Sequence, residues 1–105
     1  MDIHVIKRTI STSGGTGSSN TLPIHGGLAR QIFVRAETAT TTFRFDLQDE
    51  DSVVTRSYDW HTEDINDETT FPMKGQYTMR ITDATADGDF TVRISIQQGH
   101  SWDLR

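Results

Sequence analysis

The last third of the chain alternates strictly between apolar and polar residues, and this pattern constrains the fold more than any other. Its apolar positions are Tyr77, Met79, Ile81, Phe90, Val92, Ile94 and Ile96. Such alternation places one face of a sheet on a core and leaves the other face in water. Between the two runs, Asp87 and Gly88 suit a tight turn. The sequence therefore predicts an antiparallel β-hairpin within residues 71–96.

Shorter β-rich runs extend the pattern through the rest of the chain. Residues 28–37 have apolar side chains in both alternating sets and predict a central strand, whereas residues 41–47 direct Phe43, Phe45 and Leu47 to one side. We predict about seven or eight short strands and no helix, which favours an all-β, antiparallel two-sheet β-sandwich or jelly roll.

Two polar segments show neither apolar–polar alternation nor a β-rich run. Residues 11–20 consist mainly of Gly, Ser and Thr and predict a flexible loop. Residues 59–68 lack both a helical stripe and alternation and predict a long irregular connector. We expect one domain over residues 1–98, a tail at residues 99–105, and extended arms at both ends.

Composition excludes several classes of protein. The 105 residues carry a formal net charge of −5, whereas nucleic-acid binding needs a basic surface. Cysteine is absent, which excludes a disulfide scaffold and thiolate chemistry. Neither a membrane span nor the pattern of a secretory signal is present, so we expect a soluble product made in the cytoplasm.

The polar residues do not predict an enzyme. The sequence has no G-x-S-x-G turn to present a nucleophile. His61 and Glu63 form only a weak pair of metal ligands. Asp83, Asp87 and Asp89 resemble calcium ligands, but they depart from the spacing of a calcium loop, and turn formation explains them better. We predict no catalytic residue, no cofactor and no metal ion.

Aromatic residues leave a binding function open. Tyr58 and Trp60 are able to stack on sugar rings, as aromatic residues do on carbohydrate-binding β-sandwiches. In the competing hypothesis, which we favour, Trp60 covers one end of the core and Trp102 anchors an interface.

The order of several features along the chain is similar to that found in one group of proteins. They are a strand at residues 6–12 before a Gly/Ser/Thr loop, strands at residues 28–37 and 41–47, a polar connector with Trp60, and a closing segment with Pro72, Gly75, Tyr77, Asp87, Gly88 and residues 90–96. In this order the chain resembles the small β-sandwich proteins of tailed-bacteriophage virions, especially those that decorate or cement the capsid. The resemblance spans nearly all of residues 3–96 and implies a non-enzymatic structural protein on the capsid exterior.

The resemblance also implies partners, namely the major capsid protein and copies of the chain itself in a dimer or trimer. We expect the terminal arms to make these contacts, because a partner surface repays the entropy lost on ordering a chain end. The predicted interface residues are Ile3, Val5, His100, Trp102 and Leu104. Two alternatives stay open: a carbohydrate-binding module for a host surface, and a head-completion or tail component.

Overall fold

The computed structural model describes residues 2–61 and 64–98, which form nine β-strands. The strands are β1 (Asp2–Ser11), β2 (Gly17–Asn20), β3 (Ile24–Ala36), β4 (Phe43–Gln48), β5 (Val54–His61), β6 (Ile65–Asp67), β7 (Phe71–Gly75), β8 (Thr78–Thr82) and β9 (Asp89–Gln98). Within the described residues, no helix has the length and apolar character needed to cross a membrane.

The strands form two antiparallel sheets. Sheet I has the order β1-β9-β3-β6, and β7 also pairs with β3. Sheet II has the order β2-β8-β4-β5. The predicted all-β, two-sheet antiparallel architecture is confirmed, with nine strands in place of the expected number of about seven or eight.

The core lies between the sheets, and alternation selects the residues that enter it. On β4, Phe43, Phe45 and Leu47 are buried as predicted. Phe43 of sheet II meets Phe90 of sheet I edge to face, with ring centroids 5.0 Å apart. Aromatic pairs prefer this geometry over face-to-face stacking. One apolar core therefore joins the two sheets.

The predicted hairpin of the last third has the correct faces and the wrong partners. The apolar positions of β8 and β9 are buried, but β8 pairs with β2 and β4, whereas β9 pairs with β1 and β3. The connection between β8 and β9 consequently crosses from sheet II to sheet I. Alternation predicts which face of a strand is buried, but it does not predict which strands are its neighbours.

The predicted flexible loop at residues 11–20 contains β2, which pairs with β8 at the edge of sheet II. Gly17 suits this position because a Cβ atom there would lie 2.5 Å from the carbonyl oxygen of Ser11. The predicted irregular connector at residues 59–68 likewise contains the end of β5 and all of β6. Ile65 of β6 is buried opposite Val34. These two segments are therefore more regular than the sequence predicts.

The long strands β3 and β1 differ in their positions within sheet I. The strand predicted to be central is β3, which lies between β9 on one side and β6 and β7 on the other. At the N-terminal end, β1 pairs with β9 along its whole length and belongs to the sheet in place of forming an arm. The tail at residues 99–105 lies outside the described residues.

Candidate functional site

Strand register aligns polar and aromatic side chains in a row across the outer face of sheet I. Lys7 of β1 lies opposite Arg93 of β9, and Arg93 lies opposite Phe33 of β3. These side chains point outward because the neighbouring residues on each strand, such as Ile6, Val92 and Ile32, are buried. We call Lys7, Phe33, Arg35 and Arg93 the basic patch.

The arginines of the basic patch are held by an aromatic ring. The guanidinium carbon of Arg93 lies 4.6 Å from the centroid of Phe33, and that of Arg35 lies 5.1 Å from it. Arg35 also contacts Asp64 at 2.8 Å, and this hydrogen-bonded carboxylate raises the pKa of Arg35. Lys7 and Arg93 have no ion pair with any of the described residues. The patch therefore keeps uncompensated positive charge on a protein whose net charge is −5.

An apolar groove of about 310 Å³ lies beside the N-terminal half of β1. Its lining residues are His4, Val5, Ile6, Arg8, Leu22, Pro23, Ile24, His25 and Ile96. On the outer surface around it, Ile3 is 57% exposed, Val5 50% and Leu22 74%. Among the described strands, β1 pairs only with β9, so its other edge is not part of a ladder. We call this region the edge groove.

A rigid acidic turn joins β4 to β5. The Asp49 carboxylate accepts hydrogen bonds from the backbone N–H groups of Asp51 and Val53 at 2.9 and 3.0 Å. The Glu50 carboxylate accepts one from the backbone of Gln76 at 2.8 Å. Asp51 is exposed, and no other described residue forms a hydrogen bond or an ion pair with its carboxylate. Residues 49–54 are called the acidic turn below.

A third polar cluster bridges the two sheets at the side of β5. The Tyr58 hydroxyl donates a hydrogen bond to Asp67, and the Tyr58 ring packs against Phe45. Burial, and then this hydrogen bond, raise the pKa of Tyr58 above its usual range. The same hydrogen bond lowers the pKa of Asp67. Nearby, the guanidinium of Arg56 lies 4.2 Å from the ring centroid of Phe71. This cluster satisfies its own polar groups and fastens β5 to β6.

The acidic connection between β8 and β9 uses its carboxylates for structure. Asp87 accepts hydrogen bonds from the backbone N–H groups of Gly15 and Gly14 at 2.8 and 3.0 Å, and these bonds lower the pKa of Asp87. Asp89 accepts from the Ser11 hydroxyl at 2.6 Å, and Asp83 lies 3.5 Å from Arg44. In the described part of the chain, no group of three or more potential ligands is gathered to hold a metal ion.

Another depression, of about 400 Å³, lies near the end of β3 and is lined by Arg35, Glu37, Thr41, Phe43 and Asp64, with Ala36 and Ala39. Its charged groups already have partners. Arg35 pairs with Asp64, and Glu37 accepts a hydrogen bond from the backbone N–H of Asp89. The depression offers a ligand no free charged group.

The structure separates the residues that the sequence singled out. Ile3 and Val5 lie on the outer surface of β1, and Tyr58 lies in the cluster beside β5. The side chains of Trp60 and His61 fall outside the description that the structure gives, and so do the whole residues Glu63, His100, Trp102 and Leu104. Sequence reasoning missed Leu22 and the basic patch. The available signal for the patch was Phe33, an aromatic residue in the polar phase of β3 between Ile32 and Val34.

Comparison of the chain with protein-family models and with curated proteins finds no match. The function must therefore be argued from the surfaces of the molecule.

Proposed function

We propose that this chain is a non-enzymatic virion structural protein that decorates the head of a tailed bacteriophage and attaches through the edge groove. The proposal follows the resemblance in the sequence, and the observation that carries it is the concentration of exposed apolar side chains at the groove. Val5 and Leu22 line the groove, Ile3 lies two residues before Val5 on the same face of β1, and each of the three is at least half exposed. Contiguous apolar surface on a small domain is typical of a protein interaction site.

The shape of the groove favours a polypeptide as its occupant. The floor is apolar, with Ile6, Ile24 and Ile96, and one wall is the edge of β1. An unpaired strand edge offers backbone N–H and C=O groups to an added strand. We therefore assign the groove to an extended apolar segment of the major capsid protein, on the outside of the head.

The strand order gives the proposal a second support. Along the chain, β1, β2, β3 and β4 alternate between sheet I and sheet II, and β8 and β9 do so again. We interpret this order as a jelly roll, an architecture that occurs in viral capsid proteins and also in lectins. A fold alone does not assign a function, so the groove remains the main argument.

The carbohydrate alternative depends on Tyr58 and Trp60. The Tyr58 ring packs on Phe45 and its hydroxyl is bonded to Asp67, which leaves less of this residue for stacking on a sugar. The contribution of the tail residues His100, Trp102 and Leu104 stays a prediction, and deletion of residues 100–105 tests it in the assay below.

The test adds purified protein to undecorated heads of the phage that encodes it and measures occupancy by cosedimentation. Val5→Lys and Leu22→Lys should each lower the affinity by about tenfold or more, because each buries a charge in an apolar contact. Thr70→Lys is the matched control, since it adds the same charge at an exposed position away from the groove. Circular dichroism should show that all three variants are folded.

Wild-type protein that leaves the heads unoccupied would contradict the proposal. Heads that bind Val5→Lys and wild type equally would remove the edge groove from it. A glycan array that is positive for wild type and silenced by Trp60→Ala would instead support the carbohydrate-binding alternative.

A further inference from the structure

We infer that the basic patch binds the acidic turn of a second copy of this chain. The patch is Lys7, Phe33, Arg35 and Arg93 on the outer face of sheet I, and the turn is residues 49–54 at the β4–β5 connection. The contact concerns association between copies, and it does not depend on what the edge groove binds.

The basic patch contains an unfavourable charge pair. Lys7 and Arg93 lie directly opposite each other on neighbouring antiparallel strands. Side chains in such positions have Cβ atoms about 4.5–5.5 Å apart, and two like charges there destabilise the pair. The structure gives neither cation a carboxylate partner among the described residues. A carboxylate supplied by another molecule would relieve this repulsion.

Contacts with the Phe33 ring hold the two arginines of the patch in place. Two guanidinium groups lie close to the Phe33 ring: that of Arg93 is 4.6 Å from the ring centroid, and that of Arg35 is 5.1 Å from it. Stacking restricts the rotamers of these long side chains before any partner arrives. Binding then loses less conformational entropy than it would with free arginines.

Among the described residues, few carboxylates are left to pair with the basic patch of another copy. Most acidic side chains in the described residues already have partners within the chain. These are Asp46, Asp49, Glu50, Asp59, Asp64, Asp67, Asp83, Asp87, Asp89 and Glu37. Asp51 and Glu68 are exposed and have none among the described residues. Asp51 stands in a group of three acids, whereas Glu68 follows only Asp67, whose carboxylate is bonded to Tyr58.

The acidic turn also has the rigidity and the apolar surface of an interface. Asp49 fixes its backbone through two hydrogen bonds, at 2.9 and 3.0 Å. Val53 and Val54, which follow Asp51, are 56% and 46% exposed. A contact that brings Asp51 to Lys7 and Arg93 would also cover these valines, so that burial of apolar area adds to the charge pairing.

A polyanion such as a nucleic acid or an acidic polysaccharide fits the patch less well. The cations occupy a short segment of one face, and the overall charge of −5 repels a long anion. The apolar side chains of Ile3 and Val5, on the same outer face of β1, suit a protein surface.

The two surfaces are different parts of the molecule, so the contact is heterologous. Each copy offers one patch and one turn, and repetition of the contact produces a closed ring or an open filament. The contact therefore joins copies head to tail and does not produce an isologous dimer.

The test is sedimentation equilibrium of the full chain at about 0.15 M salt. The Debye length there is about 8 Å, so the long-range repulsion between two negatively charged copies is screened more strongly than an ion pair in direct contact. Wild type should associate with increasing concentration. Arg93→Glu and Asp51→Lys should each weaken association by about tenfold or more, because each places like charges in contact. The double variant Arg93→Glu/Asp51→Lys should recover most of the loss, since it exchanges the two charges.

Arg80→Glu is the matched control, because it reverses an arginine on the outer face of sheet II and should leave association unchanged. Circular dichroism establishes that each variant is folded. The inference is overturned by a wild type that stays monomeric at millimolar concentration, by single variants that associate like wild type, or by a double variant no better than the singles. Retention of monomeric wild type on heparin would assign the patch to a polyanion instead. Head occupancy is measured separately, so failure of this contact and failure of head binding are distinguishable.

Discussion

The outer faces of the two sheets differ in how their cations are paired. On sheet II, Arg44 lies between Asp59 at 2.9 Å and Asp83 at 3.5 Å, and Arg80 lies opposite Asp46. On sheet I, Lys7 lies opposite Arg93, and neither has an ion pair within the described part of the chain. The face of sheet II thus places each of these two arginines near a carboxylate, whereas the face of sheet I places two cations side by side. Arginines in the polar phase of a strand therefore do not have one common role.

The two outer faces cover one shared core, and Phe90→Ala tests how strongly that core holds the sheets together. Phe90 is fully buried and contacts Phe43 of the opposite sheet. Its truncation should lower the free energy of unfolding by about 3–5 kcal/mol, measured by urea denaturation. Phe33→Ala is the control on the outer face and should cost no more than about 1 kcal/mol. Equal losses of unfolding free energy in the two variants would contradict the placement of Phe90 in the core and of Phe33 on the outer face.

A smaller effect is expected where the edge of sheet II meets β1. At Gly17 a Cβ atom would lie 2.5 Å from the Ser11 carbonyl oxygen and 3.0 Å from a methyl group of Ile10. Gly17→Ala should therefore destabilise the protein by about 1–3 kcal/mol through overpacking. Ser18→Ala, at the next and exposed position, should leave the urea midpoint almost unchanged. A flexible loop at this place would tolerate both substitutions alike.

The tyrosine cluster beside β5 sharpens the comparison through its pH dependence. Tyr58→Phe removes the hydrogen bond to Asp67 and should cost about 1 kcal/mol at pH 7. The folded protein lowers the pKa of Asp67, so its contribution is present above the unfolded value of about 3.9 and is lost as pH falls through the folded pKa. The deficit of the variant should consequently shrink in acid.

The stabilisation from the hydrogen bond between Tyr58 and Asp67 is also lost at high pH. Folding raises the pKa of Tyr58, so that contribution is complete below the unfolded value of about 10 and declines as pH rises through the folded pKa. Tyr77→Phe is the control, because the Tyr77 hydroxyl accepts a hydrogen bond from the backbone N–H of Lys74. Its deficit should not shrink in acid, and parallel pH profiles for the two variants would refute this assignment.

The smallest effect compares the two faces directly. Arg44→Gln breaks contacts with two aspartates and should lower the melting temperature slightly, with the difference disappearing in about 1 M salt. Lys7→Gln should change stability by less than about 0.5 kcal/mol, or improve it, because it removes a repulsion with Arg93. Differential scanning calorimetry at two salt concentrations makes the measurement. A larger loss for Lys7→Gln would reverse the comparison.

The sequence predicts the buried positions of these strands well and their neighbours poorly. Alternation identifies Met79 and Ile94 as buried whatever strands lie beside them, but β8 and β9 belong to different sheets. Likewise, β2 carries no large apolar residue, because at the edge of its sheet it buries little, and so it gives no hydrophobic signal.

The candidate surfaces were harder to predict for a related reason. Ile3 and Val5 could be proposed as contact residues because they are apolar residues near a chain end, and the structure leaves both exposed. The basic patch, in contrast, exists only through register, since Lys7, Phe33 and Arg93 come from three strands that are distant in sequence. Leu22 joins the edge groove from the connection before β3.

The position of β9 imposes an order of events on the newly made chain. Of the nine strands, β9 leaves the ribosome last, yet it lies between β1 and β3 in the finished sheet. Until then β1 lacks its hydrogen-bonded partner strand, and pairing across so long a stretch of chain is slow. The last strand also brings Arg93 to Lys7 and Ile96 to the floor of the groove. A prematurely terminated copy would thus lack both surfaces and be left out of any assembly that uses them.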